Sequence, residues 1–233
     1  MPDVTVPGGA SAPELRAHLA VPPTTPGPWP GVVVVHEIFG LNDDIRQQAE
    51  KLAAAGFLAL AVDLFSAGGK VRCIRQVFGT LTRGSGPAVD DIEASRTWLA
   101  GHADCTGKVG VIGFCMGGGF ALLTAARGFD AASSNYGIVP KEDALRGACP
   151  VVGSYGARDP ELRKGAEKLR TRLTAVGVEH DVKEYPDAGH SFLNRPNLGP
   201  AAPLLRVAGV GYHAPSAEDA WGRILRFFEA HLR

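Results

Sequence analysis

The sequence predicts an α/β protein with a mostly parallel central sheet, helices on both faces and an antiparallel N-terminal edge. Three observations carry that expectation. Apolar runs of strand length alternate with stretches of helical period along most of the chain. Residues 32–35 are four consecutive valines, the pattern of a strand buried on both faces. Strand, helix and strand then follow one another at the spacing of a βαβ unit.

The elements follow in order. "LRAHLAV" places Leu15, Ala17, Leu19 and Val21 at alternate positions, the period of a half-exposed strand in an antiparallel edge. "PPTTPGPWPG" at 22–31 is a surface loop that leads into the four valines. In "LNDDIRQQAEKLAAAGF", Asn42 is suited to cap a helix, and Asp43 and Asp44 suit its positive first turn. Ile45, Ala49, Leu52 and Ala53 share one face of that helix, and Gly56 stops it. "LALAV" at 58–62 is the next strand. "AVDDIEASRTWLAG" is a helix with Val89, Ile92 and Leu99 inward, followed by the strand "KVGVIGF". After Cys115 a further helix, "GGFALLTAARG", runs to Gly128, and "AASSNYG" and "PVVGSYG" are strands. "PELRKGAEKLRTRLTAVG" reads as a helix opening at Pro160, with Leu162, Ala166, Leu169, Leu173 and Val176 on one stripe and Gly177 as its stop. "HDVKEYP" is the last strand. A C-terminal helix from Ser216 carries Trp221, Ile224, Leu225, Phe228 and Leu232 on one face.

Composition bounds the function. A chain of 233 residues, 45% hydrophobic, supports one sizeable core, so a single domain over 1–233 is expected. Lys and Arg total 24 and balance 24 Asp and Glu, which removes the basic footprint of a nucleic-acid binder. No apolar run reaches the roughly 18 residues of a membrane span, and the first 21 residues lack the basic-then-apolar pattern of a signal peptide. Cys73, Cys105, Cys115 and Cys149 are scattered without CxxC pairing, which points to a reducing, cytoplasmic setting.

The informative motif is "GFCMGGG" at 113–119. Interior glycines cost about 1 kcal/mol each against alanine in a helix, so their presence here needs a reason. Gly-x-Cys-x-Gly between a strand and a helix is a nucleophile elbow with cysteine in place of serine. Gly113 and Gly117 remove side chains that would collide at the sharp turn, and the turn lifts Cys115 above the sheet edge. It leaves the Met116 N–H at a helix N-terminus, where the dipole favours thiolate and an oxyanion finds a donor. The elbow fold places its acid after the nucleophile and its histidine last. Asp159 in "YGARDPEL" and His190 in "YPDAGHSF" each follow a predicted strand in that order. His190 would take the thiol proton and Asp159 would orient it. Asp187, the rival acid, reads as a turn residue of "PDAG".

With these residues placed, the chain resembles the dienelactone hydrolase family, cysteine members of the α/β-hydrolase fold. The matching stretches are "VVVVHEIFGLND", "VDLF", "KVGVIGFCMGGGFAL", "YGARD" and "DAGHSF", which span almost the whole chain. The resemblance implies a Cys115-His190-Asp159 triad acting on enol-lactones or related esters in the catabolism of aromatic compounds, with no metal or organic cofactor. It implies that Glu37 lies beside the thiol and helps to activate it, and that the Ile38 N–H is the second oxyanion donor beside Met116. Dienelactone-specific members hold the substrate carboxylate with two arginines. Here Arg72 or Arg75 is placed to be the first. Arg195 stands for the second, one residue further from His190 than the pattern asks, with Asn194 in the nearer position. A small-molecule ester or lactone is thus the expected partner of a monomeric enzyme.

Cysteine as nucleophile favours activated acyl groups on independent grounds. Thiolate leaves easily, so its adduct with a poor leaving alcohol collapses backwards, whereas an enolate departs. The alternative is a non-catalytic or redox-sensing protein with a reactive Cys115, or with Cys73 beside Arg72 and Arg75 as the sensitive thiol. Asp159 has no purpose in a pure sensor. A phosphate-binding loop is excluded, since "GFCMGGG" has neither a following GKS/T nor GxGxxG spacing.

Overall fold

The computed structural model describes residues 3–68, 77, 79–81, 83–195 and 210–233; Arg72, Cys73 and Arg75 lie outside the described residues. Eight strands are β1 (Asp3–Pro7), β2 (Glu14–Ala20), β3 (Trp29–Val35), β4 (Leu58–Val62), β5 (Cys105–Phe114), β6 (Ala131–Asn135), β7 (Val151–Gly156) and β8 (His180–Tyr185). They form one sheet in the order β1-β2-β4-β3-β5-β6-β7-β8. β1 and β2 pair antiparallel, as do β2 and β4, and every later pairing is parallel. The antiparallel N-terminal edge is therefore present, with one difference: β2 is internal, and the outer position belongs to β1. Five residues ending in Pro7 gave too short an alternation to read as a strand.

Helices α1 (Asp43–Ala54), α2 (Pro87–Ala100), α3 (Met116–Thr124), α4 (Gly165–Ala175) and α5 (Ala214–Leu232) cover the two faces. The four valines divide between them. Val33 and Val35 belong to the core that holds Val89 and Leu99 of α2, Phe120 of α3 and Leu169 of α4. Val32 and Val34 belong to the core that holds Ile45 and Leu52 of α1 and Trp221, Ile224 and Phe228 of α5. Strand alternation thus feeds two cores, one on each side. Among the described residues, no helix is long and apolar enough to cross a membrane.

Local chemistry sets the helix ends. The Asn42 side chain accepts from the Ile45 N–H at 3.0 Å, the expected cap of α1. α3 stops at Thr124, with turns from 125 onward and Gly128 at φ 81°, so it is shorter than its period suggested. α4 begins at Gly165 and not at Pro160. The Asp159 carboxylate captures the N–H groups of Glu161 and Leu162 at 2.9 and 3.2 Å, and Lys164 is left-handed at φ 61°. That side-chain turn competes with the helix for the backbone donors it would otherwise use.

Candidate active site

The glycines of the elbow are close-approach glycines. A Cβ on Gly113 would lie 1.9 Å from the Gly117 carbonyl oxygen, and one on Gly117 would lie 2.2 Å from that of Val35 and 2.8 Å from that of His36. Strand β5 therefore turns directly into α3, and the start of α3 presses against the end of β3. Cys115 sits at the turn with φ 53° and ψ −116°, a strained conformation for a non-glycine residue. Its N–H is held by the Asn135 carbonyl of β6 at 3.0 Å. Such strain persists only where the surroundings over-determine it, and here two neighbouring strands do so.

His190 and Asp159 arrive from the β7–β8 edge of the sheet. The loop after β7 carries Asp159, which is 1% exposed, and the loop after β8 carries His190. The imidazole Nδ1 lies 2.7 Å from Asp159 Oδ2. Since Asp159 Oδ1 is occupied by two backbone N–H groups, the carboxylate is fixed in rotation and its second oxygen faces the ring. The Cys115 thiol lies close enough to the same imidazole to favour its protonated form. Burial by itself would lower the His190 pKa; the bond to Asp159 and the nearby Cys115 thiol outweigh it and push the pKa up to about 10. Segment 210–213 clasps this loop, the Gly211 N–H donating to the His190 carbonyl at 2.9 Å and the His213 N–H to that of Phe192 at 3.1 Å. Asp187 is elsewhere: it pairs with Arg158 at 2.7 Å on the surface, as expected of a turn residue.

Glu37 lies in the loop after β3, only 2% exposed. Its Oε1 accepts from the Ser191 hydroxyl at 2.8 Å. Burial pushes its pKa up to about 7, against the pull of Ser191 and His190 in the other direction. Among the described residues, the Ile38 N–H has no acceptor, and Met116 is the first residue of α3, where no intrahelical acceptor exists. Because Gly117 touches Val35 and His36, the segments bearing these two free donors are neighbours.

The structure brings together Cys115, His190, Asp159 and Glu37, and adds residues that the sequence reading missed. Ser191 holds the Glu37 carboxyl, and no pattern links positions 154 apart in the chain. Tyr136, fully buried at φ 42°, places its ring 5.3 Å from the His190 ring. Its position just beyond β6 was the available signal, since functional residues gather at the C-terminal ends of such strands. The Tyr136 hydroxyl donates to Asn194 Oδ1, and Asn194 Nδ2 donates to Asp44 Oδ2 at 2.6 Å. Asn194 is thereby committed to a buried bridge. Arg195 is not drawn toward the sulfur: its guanidinium stacks 3.9 Å from the Tyr212 ring centroid, and its backbone N–H donates to Asp44. Arg72 and Arg75 lie outside the described residues.

The comparisons with known proteins agree with this architecture. The profile of the dienelactone hydrolase family matches residues 15–232. A Yersinia pestis protein named "Putative carboxymethylenebutenolidase" is 31% identical, over 94% of this chain and 84% of its own length. The carboxymethylenebutenolidase of Rhodococcus opacus is 28% identical, over 96% of each chain. Among solved structures, a dienelactone hydrolase-like promiscuous phosphotriesterase from metagenomic libraries superposes with a TM-score of 0.80 at 26% identity, over 100% of this chain and 99% of the other. The chain belongs to the dienelactone hydrolase family, and it is a hydrolase built on the α/β-hydrolase fold.

Proposed function

We propose that this hydrolase cleaves activated carboxylic esters or enol-lactones of the dienelactone type through a Cys115-His190-Asp159 triad and an acyl-thioester intermediate. The observation that carries the reading is the 2.7 Å bond from His190 to a buried, rotationally fixed Asp159, with the Cys115 thiol close enough to favour the protonated ring. An imidazolium held in place beside sulfur pairs with a thiolate. The thiolate attacks the acyl carbon, forming the S–C bond and moving the carbonyl electron pair onto oxygen. The N–H groups of Ile38 and Met116 receive that oxyanion. On collapse the C–O bond breaks, and the leaving enolate or alkoxide takes a proton from His190. Water then gives a proton to neutral His190 as it attacks the thioester, and the C–S bond breaks to restore the thiolate–imidazolium pair.

Glu37 fits beside this cycle as a carboxyl that ionises near neutrality. Protonated, it places no anion near the sulfur; ionised, it is an acceptor for the thiol proton. The names of the relatives support an enol-lactone, and the exposed Ile38, Phe39 and Ile138 at the ends of β3 and β6 supply apolar surface on either side of β5. The test is a burst experiment with a chromogenic ester. Wild-type protein and Cys73→Ala should release chromophore in a burst and carry the acyl mass on the peptide containing Cys115. A Cys115→Ala variant with an undiminished burst would sink the reading.

A further inference from the structure

The dipeptide "HE" at 36–37 contributes more than its glutamate. His36 is completely buried at the end of β3, and its ring bridges two loops. The Leu64 N–H, just beyond β4, donates to His36 Nε2 at 3.0 Å. Accepting that bond makes Nε2 the unprotonated nitrogen of a neutral ring, so the proton sits on Nδ1. Nδ1 lies 2.6 Å from the Glu37 carbonyl oxygen and donates to it. The remaining neighbours are Asp63, whose Oδ1 is 3.7 Å from Nε2, and Phe65, whose ring centroid is 4.8 Å away. Burial lowers the His36 pKa, which keeps the ring in its neutral form.

The Glu37 carbonyl and the Ile38 N–H belong to one planar, trans peptide unit, so they point in opposite directions and turn together. Whatever holds that carbonyl also aims that N–H. The Gly40 N–H accompanies His36 on the same oxygen at 3.1 Å, but it belongs to the same loop and turns with it. His36 alone of the two ties the peptide to β4 through Leu64. We propose that His36 is a positioning residue of the oxyanion hole: its Nδ1–H holds the Glu37 carbonyl and thereby directs the Ile38 N–H at the acyl oxygen developing on Cys115. The proposal rests on the reading of Ile38 as an oxyanion donor given above.

Two substitutions separate the two bonds of the ring. In His36→Asn the amide nitrogen falls near the position of Nδ1, which keeps the donor to Glu37 and gives up the acceptor for Leu64. In His36→Gln the amide reaches the position of Nε2, which keeps the acceptor and gives up the donor. Two rates are read on each variant. Acylation by a chromogenic ester passes through an oxyanion; alkylation by iodoacetamide uses the same thiolate and forms none. His36→Gln should slow acylation about 10- to 100-fold with alkylation within about threefold of wild type, and His36→Asn should keep both rates within about fivefold. Wild-type acylation in His36→Gln, or an equal fall of both rates, would overturn the proposal. A measurement on the unaltered protein guards against a variant that does not fold: ¹⁵N-histidine NMR should show His36 protonated at Nδ1, and an Nε2–H tautomer would overturn the proposal. Failure of the catalytic reading is distinguishable, because it would appear as ester turnover by Cys115→Ala whatever His36 does.

Discussion

Replacing Gly117 by alanine would put a methyl carbon 2.2 Å from the Val35 carbonyl oxygen and 2.8 Å from that of His36. Both obstacles are backbone of the buried strand β3, so neither can swing aside. Restoring an ordinary carbon–oxygen separation of about 3.3 Å requires α3 and β3 to part by about 1 Å. Overpacking of this kind costs up to about 3 kcal/mol, and the better helix propensity of alanine returns about 1 kcal/mol. The net loss of about 2 kcal/mol lowers the melting temperature of a chain this long by about 4–8 °C. The same displacement carries the Met116 N–H away from the Ile38 segment, and misplacement by about 1 Å reduces acylation about 100-fold. Gly119→Ala is the internal control. It lies in the same helix, with the same gain in propensity, but its nearest obstacle is the terminal Leu81 Cδ1 at 2.8 Å, a side-chain end that can move. Differential scanning calorimetry and stopped-flow release of chromophore measure both effects. If Gly117→Ala melts and acylates as Gly119→Ala does, the close-approach argument for the elbow is wrong.

Three further outcomes follow from the site. Asp159→Asn should lower acylation by about 10²–10⁴-fold, since the amide presents its N–H to His190 and favours the wrong tautomer, whereas Asp187→Asn should change it by less than about twofold; a chromogenic ester assay on both decides which aspartate serves His190. Glu37 holds its proton more tightly folded (pKa about 7) than free (4.5), so stability falls as pH rises through that window and is flat above it. Glu37→Gln removes the slope, and its stability advantage should grow from near zero at pH 4.5 to about 3 kcal/mol above pH 7 in urea titrations; an advantage independent of pH would refute the assignment. Tyr136→Phe leaves the buried Asn194 Oδ1 without its donor and should cost about 1–3 kcal/mol by thermal unfolding, and no loss would mean that the bridge to Asp44 carries no weight.

Much of this molecule was legible where a single local rule decides. The Asn42 cap, the doubly buried valines and the glycine-flanked cysteine each follow from a few adjacent residues, and each is found in place. Chain order was legible as well, since Asp159 and His190 follow β7 and β8. What escaped was competition between local patterns. The residues after Pro160 carry helical spacing, yet the Asp159 carboxylate claims their N–H groups for a turn that also locks the carboxylate toward His190. Contacts between remote residues escaped for a different reason. Ser191 with Glu37, or Tyr136 with Asn194 and Asp44, leave no trace in spacing because only the assembled sheet brings them together.

In the proposed mechanism, the distance along the chain between Cys115 and the loop that would activate it has a consequence for biosynthesis. A polypeptide emerging from the ribosome exposes its sulfur 75 positions before His190 exists, and the imidazole reaches its carboxylate partner through the loops that follow β7 and β8. Until then the sulfur lacks the imidazole partner that the proposed mechanism gives it. On that mechanism, placing the histidine late in the chain works as a safety catch, withholding the base until most of the polypeptide has been made.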